Sequence, residues 1–376
     1  MCGKMSVLHP LGNLTFSLNS VSVVFLLTLF ISILFSYFIK RIFANAKIGD
    51  NPIVSEHRHK SGTPTMGGIA FIFTILLIAG IYIKNQYIVI TAILMVTAGI
   101  AGLIDDLIGL NVKEYQKLVK NVSDSDIKIG LLTLKPGNEA RAATDNAKKI
   151  VDSLIESEKL QLVSKIPIKT EIGEGEKIII QLIIGVFLVV GAYSTGLITS
   201  LAGFSLGILA IPIILIGIIG AINAVNLIDG MDGLAAGIIA IASFSSVVFM
   251  YINGNIATSY PFIILTAICL GFLVFNKYPA SIFMGDTGSF VLGAGYATAV
   301  FICDIPYFGV LALAVPILSV IISLLHRAKI IKLPVEPLHH TLNYMGFSEK
   351  KIIAIYWSLA IVFCLIGLIS SHFLFN

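Results

Sequence analysis

Long apolar stretches, separated by short polar connections, run through most of the chain. A membrane-spanning helix needs roughly 20 mostly apolar residues. Ten stretches approach that length: 21–43, 66–83, 88–104, 178–194, 206–223, 233–252, 257–275, 288–303, 306–325 and 352–374. Several are short for a span, which indicates tilted or partly buried helices. The pattern predicts an all-α polytopic membrane protein with about ten transmembrane helices.

Composition supports the same class of protein. Hydrophobic residues make up 57% of the 376 residues and charged residues 12%, whereas a soluble domain carries about 25% charged residues. The first apolar stretch is long and ends at Lys40-Arg41, which predicts a retained anchor rather than a cleaved signal peptide. The 4 cysteines are scattered and form no CxxC pair, so neither a disulfide scaffold nor a zinc site is indicated.

The lysines and arginines predict the orientation in the membrane. If the N-terminus lies outside, 23 of these 25 residues fall in or beside the inside connections, and only Lys4 and Lys84 lie outside. Without the long 105–177 connection, whose charges count little toward orientation, the ratio is still 11 to 2. We therefore expect both termini outside and the functional face on the cytoplasmic side.

One cytoplasmic connection is long enough to fold by itself. We interpret 1–376 as a single integral-membrane domain that carries an insertion at 111–176. Residues 143–160 place apolar side chains on one helical face, and LLTLKPG and IPIKTEI are typical of short strands, with Pro167 at a sheet edge. These patterns predict a small α+β insertion, with a partly disordered linker as the alternative.

The stretch NAVNLIDGMDG, at 223–233, places polar side chains between two apolar stretches. Asn223, Asn226, Asp229 and Asp232 follow each other at every third residue. Such a row would sweep about half the circumference of a continuous α-helix instead of sharing one face. We therefore expect a helix to end near Asn226 and a turn to follow, with an ordinary polar turn as the simpler interpretation.

Further acidic residues lie at the inner ends of other stretches. Asp105 and Asp106 are adjacent carboxylates, which resist ionising together unless a cation or donor is near. An ordinary acidic helix end would explain them equally well. Asp286 lies between Gly285 and Gly288 just before a span, where helix amides favour anions. Phe283 could stack on a base or simply lie at the membrane interface.

Basic and imidazole side chains complete the cytoplasmic set. Lys60 precedes the segment GTPTMGG, where it suits either phosphate binding or positive-inside anchoring. His339 and His340, in EPLHH, could bind phosphate oxygens or a metal. Because five polar clusters from five inside connections share one face, the sequence predicts a magnesium-assisted phosphate site for a partly lipid substrate. An ion-coupled transporter is disfavoured, since transporters place charges near the membrane midplane between repeats.

The ordered motifs GTPTMGG, IDD, NAVNLIDGMDGLA, IFMGDTGS and PLHH resemble those of the polyprenyl-phosphate N-acetylhexosamine-1-phosphate transferase superfamily. They are most similar to the phospho-N-acetylmuramoyl-pentapeptide transferase family. The resemblance implies transfer of a sugar-1-phosphate from a UDP-amino-sugar to a polyprenyl phosphate (undecaprenyl or dolichyl), with release of UMP. It also implies Mg²⁺, with Mn²⁺ as an alternative, a location in the cytoplasmic membrane, no nucleic-acid partner, and a chain for which a homodimer is allowed.

The resemblance also implies roles for individual residues. Asp286 would bind the metal and take part in catalysis. Asp105 would be a base or nucleophile, or would instead hold the metal, and Asp106 beside it would be a further catalytic residue and metal ligand. Phe283 would stack on uracil. The remaining substrate-binding residues would be Lys60, Asn226, Asp229, Asp232, Asn276, His339 and His340.

Two departures from the family pattern keep an alternative donor open. Thr341 stands where the family has a third consecutive histidine, and the connection after Asp106 is longer by a whole subdomain. The alternative donor is UDP-N-acetylglucosamine or an archaeal pseudomurein precursor, in glycan or glycoprotein synthesis.

Overall fold

A computed structural model describes residues 11–49, 62–110, 112–129, 132–141, 145–170, 172–196, 198 and 209–375. The chain forms two compact units. The larger unit comprises the described parts of Met1–Asp50, Gly62–Ile104 and Gly173–Asn376, and the smaller unit those of Asp105–Ile172. Lys60 lies outside the described residues.

The larger unit is built from helices. Their bounds are α1 (Leu11–Asn45), α2 (Ile69–Ile81), α3 (Gln86–Ile108, which extends into the smaller unit), α5 (Glu174–Ser194), α6 (Ala210–Ile228), α7 (Leu234–Ile252), α8 (Tyr260–Asn276), α9 (Gly285–Ile302), α10 (Pro306–Ala312), α11 (Ala314–Arg327), α12 (Leu338–Tyr344) and α13 (Glu349–Phe375). α4 (Asp145–Glu156) belongs to the smaller unit.

Many of these helices are long and apolar. In the described part of the chain, six could cross a membrane: α1 from Val21, α3, α5, α6, α7 and α13. α10 and α11 pass the same test only as a pair, and they meet at 69°. α2 and α8 are apolar but shorter. The chain is therefore a multi-pass membrane protein, and the predicted 306–325 span is in fact broken at Leu313.

α9 lies at the centre of the larger unit. Every residue from Thr287 to Ile302 is buried, and α9 packs so closely on α6 that a methyl group on Gly293 would meet the backbone of Ile222. The helix begins at Gly285, three residues earlier than the predicted span. Asp286 is therefore part of its first turn and does not lie in a preceding loop.

The row at 223–233 forms a helix end and a turn, as predicted. α6 continues to Ile228, two residues beyond Asn226, and α7 begins at Leu234. Gly233, with a φ of 75°, adopts the left-handed conformation that favours glycine, and it allows the chain to reverse before α7.

The smaller unit is an α+β fold, as predicted. Its strands are β1 (Val112–Asn121), β2 (Ile127–Ile129), β3 (Leu132–Leu134), β4 (Glu139–Arg141) and β5 (Leu160–Lys169), and its helix is α4 (Asp145–Glu156). One antiparallel sheet has the order β4-β1-β5, and β2 and β3 form a hairpin. β5 is an edge strand, which agrees with the place predicted for Pro167.

Candidate active site

The carboxylate of Asp286 binds side chains from two other helices. Its Oδ1 accepts a hydrogen bond from Asn226 Nδ2 at 2.8 Å, and its Oδ2 contacts Lys177 Nζ at 3.1 Å. Asn226 Nδ2 also donates to Ser289 Oγ at 3.0 Å. The structure therefore brings together Asp286 and Asn226, two of the predicted site residues, and adds a lysine that the sequence analysis did not select.

Lys177 lies in the first turn of α5. It was not selected in the sequence analysis because it belongs to no motif and lies in a long connection that contains many lysines. A signal was present, because a lysine near a helix N-terminus opposes the helix dipole and needs an anionic partner. Here that partner is Asp286, and both side chains are only partly exposed, at 24% and 29%.

The GTPTMGG segment forms the frame around the start of α9. The N–H of Phe283 donates to the carbonyl of Pro64, and the amides of Gly67 and Gly68 donate to the carbonyls of Phe283 and Met284, all at 2.8–2.9 Å. A methyl group on Gly68 would overlap the backbone of Gly288. The two glycine amides are therefore used within the protein, and their role is to hold the segment that carries Asp286.

A second network holds the turn before α7. Asp232 Oδ2 accepts from the N–H of Ala280, while the N–H of Asp232 donates to Glu349 Oε1, both at 2.8 Å. Asn276 Oδ1 accepts from the N–H of Gly233 at 3.1 Å, and its Nδ2 donates to the carbonyl of Ile282. Asp232 and Asn276 are buried, so in this structure they join the turn to the 276–283 segment. Glu349, the first residue of α13, was not among the predicted site residues.

The two histidines lie against the same turn. A methyl group on Gly230 would overlap His339 Nε2 and closely approach His340 Nε2. The imidazole rings are 4.5 Å apart between centroids, with His339 buried and His340 half-buried. Asp229 and Phe283 are also half-buried. The partly exposed side chains of His340, Asp229 and Phe283 are therefore better placed to contact a ligand than the buried His339.

Asp105 and Asp106 belong to the smaller unit. Asp105 is buried, and its Oδ1 accepts a hydrogen bond from the N–H of Ile172 at 3.2 Å, where that unit ends. Asp106 is half-buried. Their contribution to chemistry therefore rests on the resemblance.

The donor set suits a metal that is held mainly by its substrate. No group of three or more histidine, cysteine, aspartate or glutamate side chains is placed to hold a metal ion within the described ranges. Mg²⁺ commonly binds one or two carboxylates together with substrate phosphates. The single carboxylate of Asp286, beside the cationic Lys177, fits this arrangement.

Arg327, the last residue of α11, joins two segments of the larger unit. Its guanidinium donates to Glu336 and to Glu174, both at 2.9 Å. Arginine stays charged throughout the ordinary pH range, so both ion pairs are retained at any ordinary pH. Because Glu174 is largely exposed, this pair contributes little to the position of α5.

Known proteins similar to this chain identify its family. Residues 169–304, from the end of β5 through α9, match glycosyl transferase family 4. A Methanothermobacter thermautotrophicus protein, named provisionally as a phospho-N-acetylmuramoyl-pentapeptide-transferase, is 54% identical over 345 residues, which cover 92% of this chain and 96% of the relative. The chain belongs to glycosyl transferase family 4.

Other relatives in glycosyl transferase family 4 carry the same enzyme name. Residues 60–72 match signature 1 of phospho-N-acetylmuramoyl-pentapeptide-transferase. The enzyme of that name from Alkaliphilus metalliredigens is 32% identical over 369 residues, covering 92% of this chain and 95% of the relative. That from Alkaliphilus oremlandii is 31% identical over 376 residues, covering 93% and 96%. The family match includes Lys177, Asn226 and Asp286.

Proposed function

We propose that this family 4 protein is a phosphoglycosyl transferase of cell-wall precursor synthesis. It transfers an N-acetylmuramoyl-pentapeptide-type sugar-1-phosphate from a UDP-sugar to polyprenyl phosphate, giving a lipid-diphosphate sugar and UMP. The observation that carries the proposal is the Asp286 cluster, in which a carboxylate, an ammonium and an amide meet at the start of a buried helix. The names of the relatives supply the reaction.

We further infer ten membrane spans, with both termini outside. The six long apolar helices, the bent pair, the shorter α2 and α8, and α9 fall on the ten apolar stretches of the sequence. The orientation rests on the lysine and arginine distribution. It places the N-terminal end of α9, and with it Asp286, on the cytoplasmic face.

The residues around Asp286 act mainly by stabilising negative charge on the reacting phosphates. An oxygen of the polyprenyl phosphate attacks the sugar-bearing phosphorus of the donor. A new P–O bond forms, the bond to the bridging oxygen breaks, and UMP leaves with that electron pair. The ammonium of Lys177 and the first amides of α9 stabilise the negative charge of the diphosphate. Mg²⁺, bound at Asp286, would neutralise further charge on the same phosphates.

No strong base is required for this attack. The acceptor phosphate is already largely ionised near neutral pH, because its second pKa is about 6. From the family resemblance alone, Asp105 therefore stays a proposed base, nucleophile or metal ligand, and Asp106 a proposed metal ligand. Asn226 fixes the Asp286 carboxylate, whereas the side chains of Asp232 and Asn276 accept backbone hydrogen bonds that join the turn before α7 to the 276–283 segment.

We place the acceptor's hydrocarbon chain in an apolar cavity of the larger unit. This cavity, of about 430 Å³, lies between α6, α9 and the bent α10–α11 pair. Small side chains on α6, including Ala221 and Ala224, leave it open. Because α6 and α9 also carry Asn226 and Asp286, a lipid there would have its phosphate directed toward the cluster. A second cavity, between α1, α7 and α8, has no such connection.

The donor sugar is the finer part of the proposal. Thr341, at the position of the family's third histidine, is buried, and its hydroxyl donates to the carbonyl of Val335. This side chain therefore holds its own loop. The alternative donor, UDP-N-acetylglucosamine or a pseudomurein precursor, would serve the same cluster.

A donor panel tests the function directly. Purified protein, polyprenyl phosphate and Mg²⁺ should release UMP with UDP-N-acetylmuramoyl-pentapeptide, and the lipid-linked product should be visible by mass spectrometry. Two alternative donors are tested in parallel, UDP-N-acetylglucosamine and a pseudomurein precursor. A short-chain soluble phosphate is tested as an alternative acceptor. Preference for another UDP-sugar would replace the proposed donor, and release of UMP with none of them would reject the reaction.

Substitution of Phe283 by alanine should weaken donor binding selectively. Loss of a base-stacking aromatic costs about 1–3 kcal/mol per base, so we expect KM for the UDP-sugar to rise roughly 5- to 160-fold with little change for the lipid phosphate. Phe283→Tyr retains the ring and is the matched control. Equal weakening of both substrates would instead indicate that the ring only supports the fold.

A further inference from the structure

Gln181 and Asn223 form a polar contact inside the apolar part of the larger unit. Gln181, on α5, is fully buried, and its Oε1 accepts a hydrogen bond from Asn223 Nδ2, on α6, at 2.6 Å. Asn223 Nδ2 also donates to the carbonyl of Ile219, at 2.8 Å. Neither amide is needed to form its own helix, since glutamine and asparagine give no advantage over apolar residues there.

The amide pair lies one helical turn from the Asp286 cluster on both helices. On α5, Lys177 precedes Gln181 by four residues, a spacing that puts both side chains on one face. On α6, Asn226 follows Asn223 by three residues, which has the same effect. Lys177 and Asn226 both bind Asp286. α5 is therefore joined to α6 by the amide pair and to Asp286 by the ammonium group of Lys177.

Within the part of the chain that the structure describes, α5 has few other contacts that fix its position. Only 28% of its most apolar stretch is buried, the smallest share among the six long apolar helices. Its close apolar contact with α6 includes Gly185 against Leu215, while Ile179, Leu182 and Val190 are exposed. Apolar side chains that face lipid on one side and α6 on the other would pack almost equally well after a slide or rotation. The amide pair distinguishes one register, because a buried amide in hydrocarbon loses its partner in any other.

We propose that the Gln181–Asn223 pair is a positioning device that fixes the depth and rotation of α5 so that Lys177 reaches Asp286. The inference rests on the proposed function, because Lys177 acts there on the donor diphosphate. A displacement by one turn, 5.4 Å along the helix, would remove the ammonium from the cluster. Gln181 and Asn223 themselves are positioning residues and need not touch a substrate.

The first test measures the register of α5 without using activity. Spin labels are attached at Val186 on α5 and Leu359 on α13, both exposed, in a full-length variant that lacks the native cysteines. The native pair should give one narrow distance distribution. Gln181→Leu should broaden it or shift it by several ångströms, and the exchange Gln181→Asn with Asn223→Gln, which keeps an amide on each helix, should restore it.

The second test asks whether register controls the site through Lys177. Gln181→Leu should lower kcat/KM for the UDP-sugar roughly 10- to 100-fold, since displacement of a catalytic group by about 1 Å can cost that much. In a Lys177→Met background the same change should cost almost nothing further, because the two substitutions remove one contribution. The exchange variant should recover activity as well as distance. Ser246→Ala, which removes another buried interhelical hydrogen bond, to Tyr296, is the control.

Each outcome decides the proposal. An unchanged distance distribution in Gln181→Leu overturns it, whether or not activity falls, because the pair then does not fix α5. A changed distribution with activity within twofold of the native enzyme also overturns it, as does an additive loss in the Lys177→Met background. If the native protein transfers no sugar-phosphate to any acceptor, the proposed function fails while the distance measurement still decides whether the pair sets the register.

Discussion

Asp286→Asn should reduce sugar-phosphate transfer by about 10³-fold, the upper end of the range for loss of one preorganised electrostatic group. The carboxylate presents an acceptor oxygen to Lys177 and another to Asn226. Asparagine has one oxygen and one NH₂ group, so one of these donors would face another donor. The substitution also removes the negative charge that we propose for binding Mg²⁺. Initial rates of UMP release over a series of Mg²⁺ concentrations measure the effect.

The control for this prediction is another aspartate bonded to a lysine. Asp152 pairs with Lys117 at 2.6 Å in the smaller unit, and the pair is exposed. Asp152→Asn should leave transfer unchanged, because exposed ion pairs contribute only about 0–1 kcal/mol. Folding of both variants is checked by thermal unfolding in detergent. Near-native turnover by folded Asp286→Asn, at every Mg²⁺ concentration, would show that Asp286 is not the metal-binding residue.

The apolar pattern predicted the helices well because membrane spans must satisfy their backbone internally and cover it with apolar side chains. The broken 306–325 stretch shows where that argument ends. Leu313 and its neighbours are as apolar as the rest, so hydrophobicity alone does not reveal the bend. Pro316 was the available signal, since a proline cannot bond to the carbonyl four residues earlier and disrupts a continuous helix there.

In the smaller unit, β1 was not predicted, because its hydrophobic pattern alone does not reveal a strand. Leu118 and Val119 are consecutive and both buried, which breaks the alternation expected of a strand. A register shift between them, seen in the pairing with β5, accounts for it. Irregularities of this kind depend on the partner strand, so the sequence of one strand alone does not reveal them.

The candidate site was likewise predictable only in part from the sequence. Motif residues such as Asp286 and Asn226 were visible because polar side chains between apolar stretches need an explanation. The hydrogen bond between them was not visible in the sequence, because 60 residues and two helices separate Asn226 from Asp286. Asn223, which had no clear role in the sequence, acquires one from Gln181, a residue that looked like an ordinary polar position in a span. Whether a polar residue binds a ligand, a backbone amide or another helix depends on the packing of the helices.

The close packing around the start of α9 makes Gly102→Ala a strong test of how the site is held. Gly102, on α3, lies against the backbone of Asp286 and Thr287, and a methyl group there would overlap the carbonyl of Asp286. Alanine favours a helix interior by about 1 kcal/mol over glycine, but backbone atoms of a buried helix cannot move aside as a flexible side chain can. Overpacking of this kind costs about 1–3 kcal/mol or more. We therefore expect a lower melting temperature and at least a tenfold loss of transfer, roughly what 1.4 kcal/mol in the barrier would produce.

The chain offers a matched control for that substitution. Gly80 lies in the last part of α2, and a methyl group there would meet nothing within 4 Å. Gly80→Ala should therefore keep native activity and leave the melting temperature equal or slightly higher, because only the helix propensity changes. If Gly102→Ala behaves like Gly80→Ala in both measurements, α3 does not press on the start of α9, and the position of Asp286 must be fixed by the GTPTMGG frame and the Lys177 and Asn226 contacts alone.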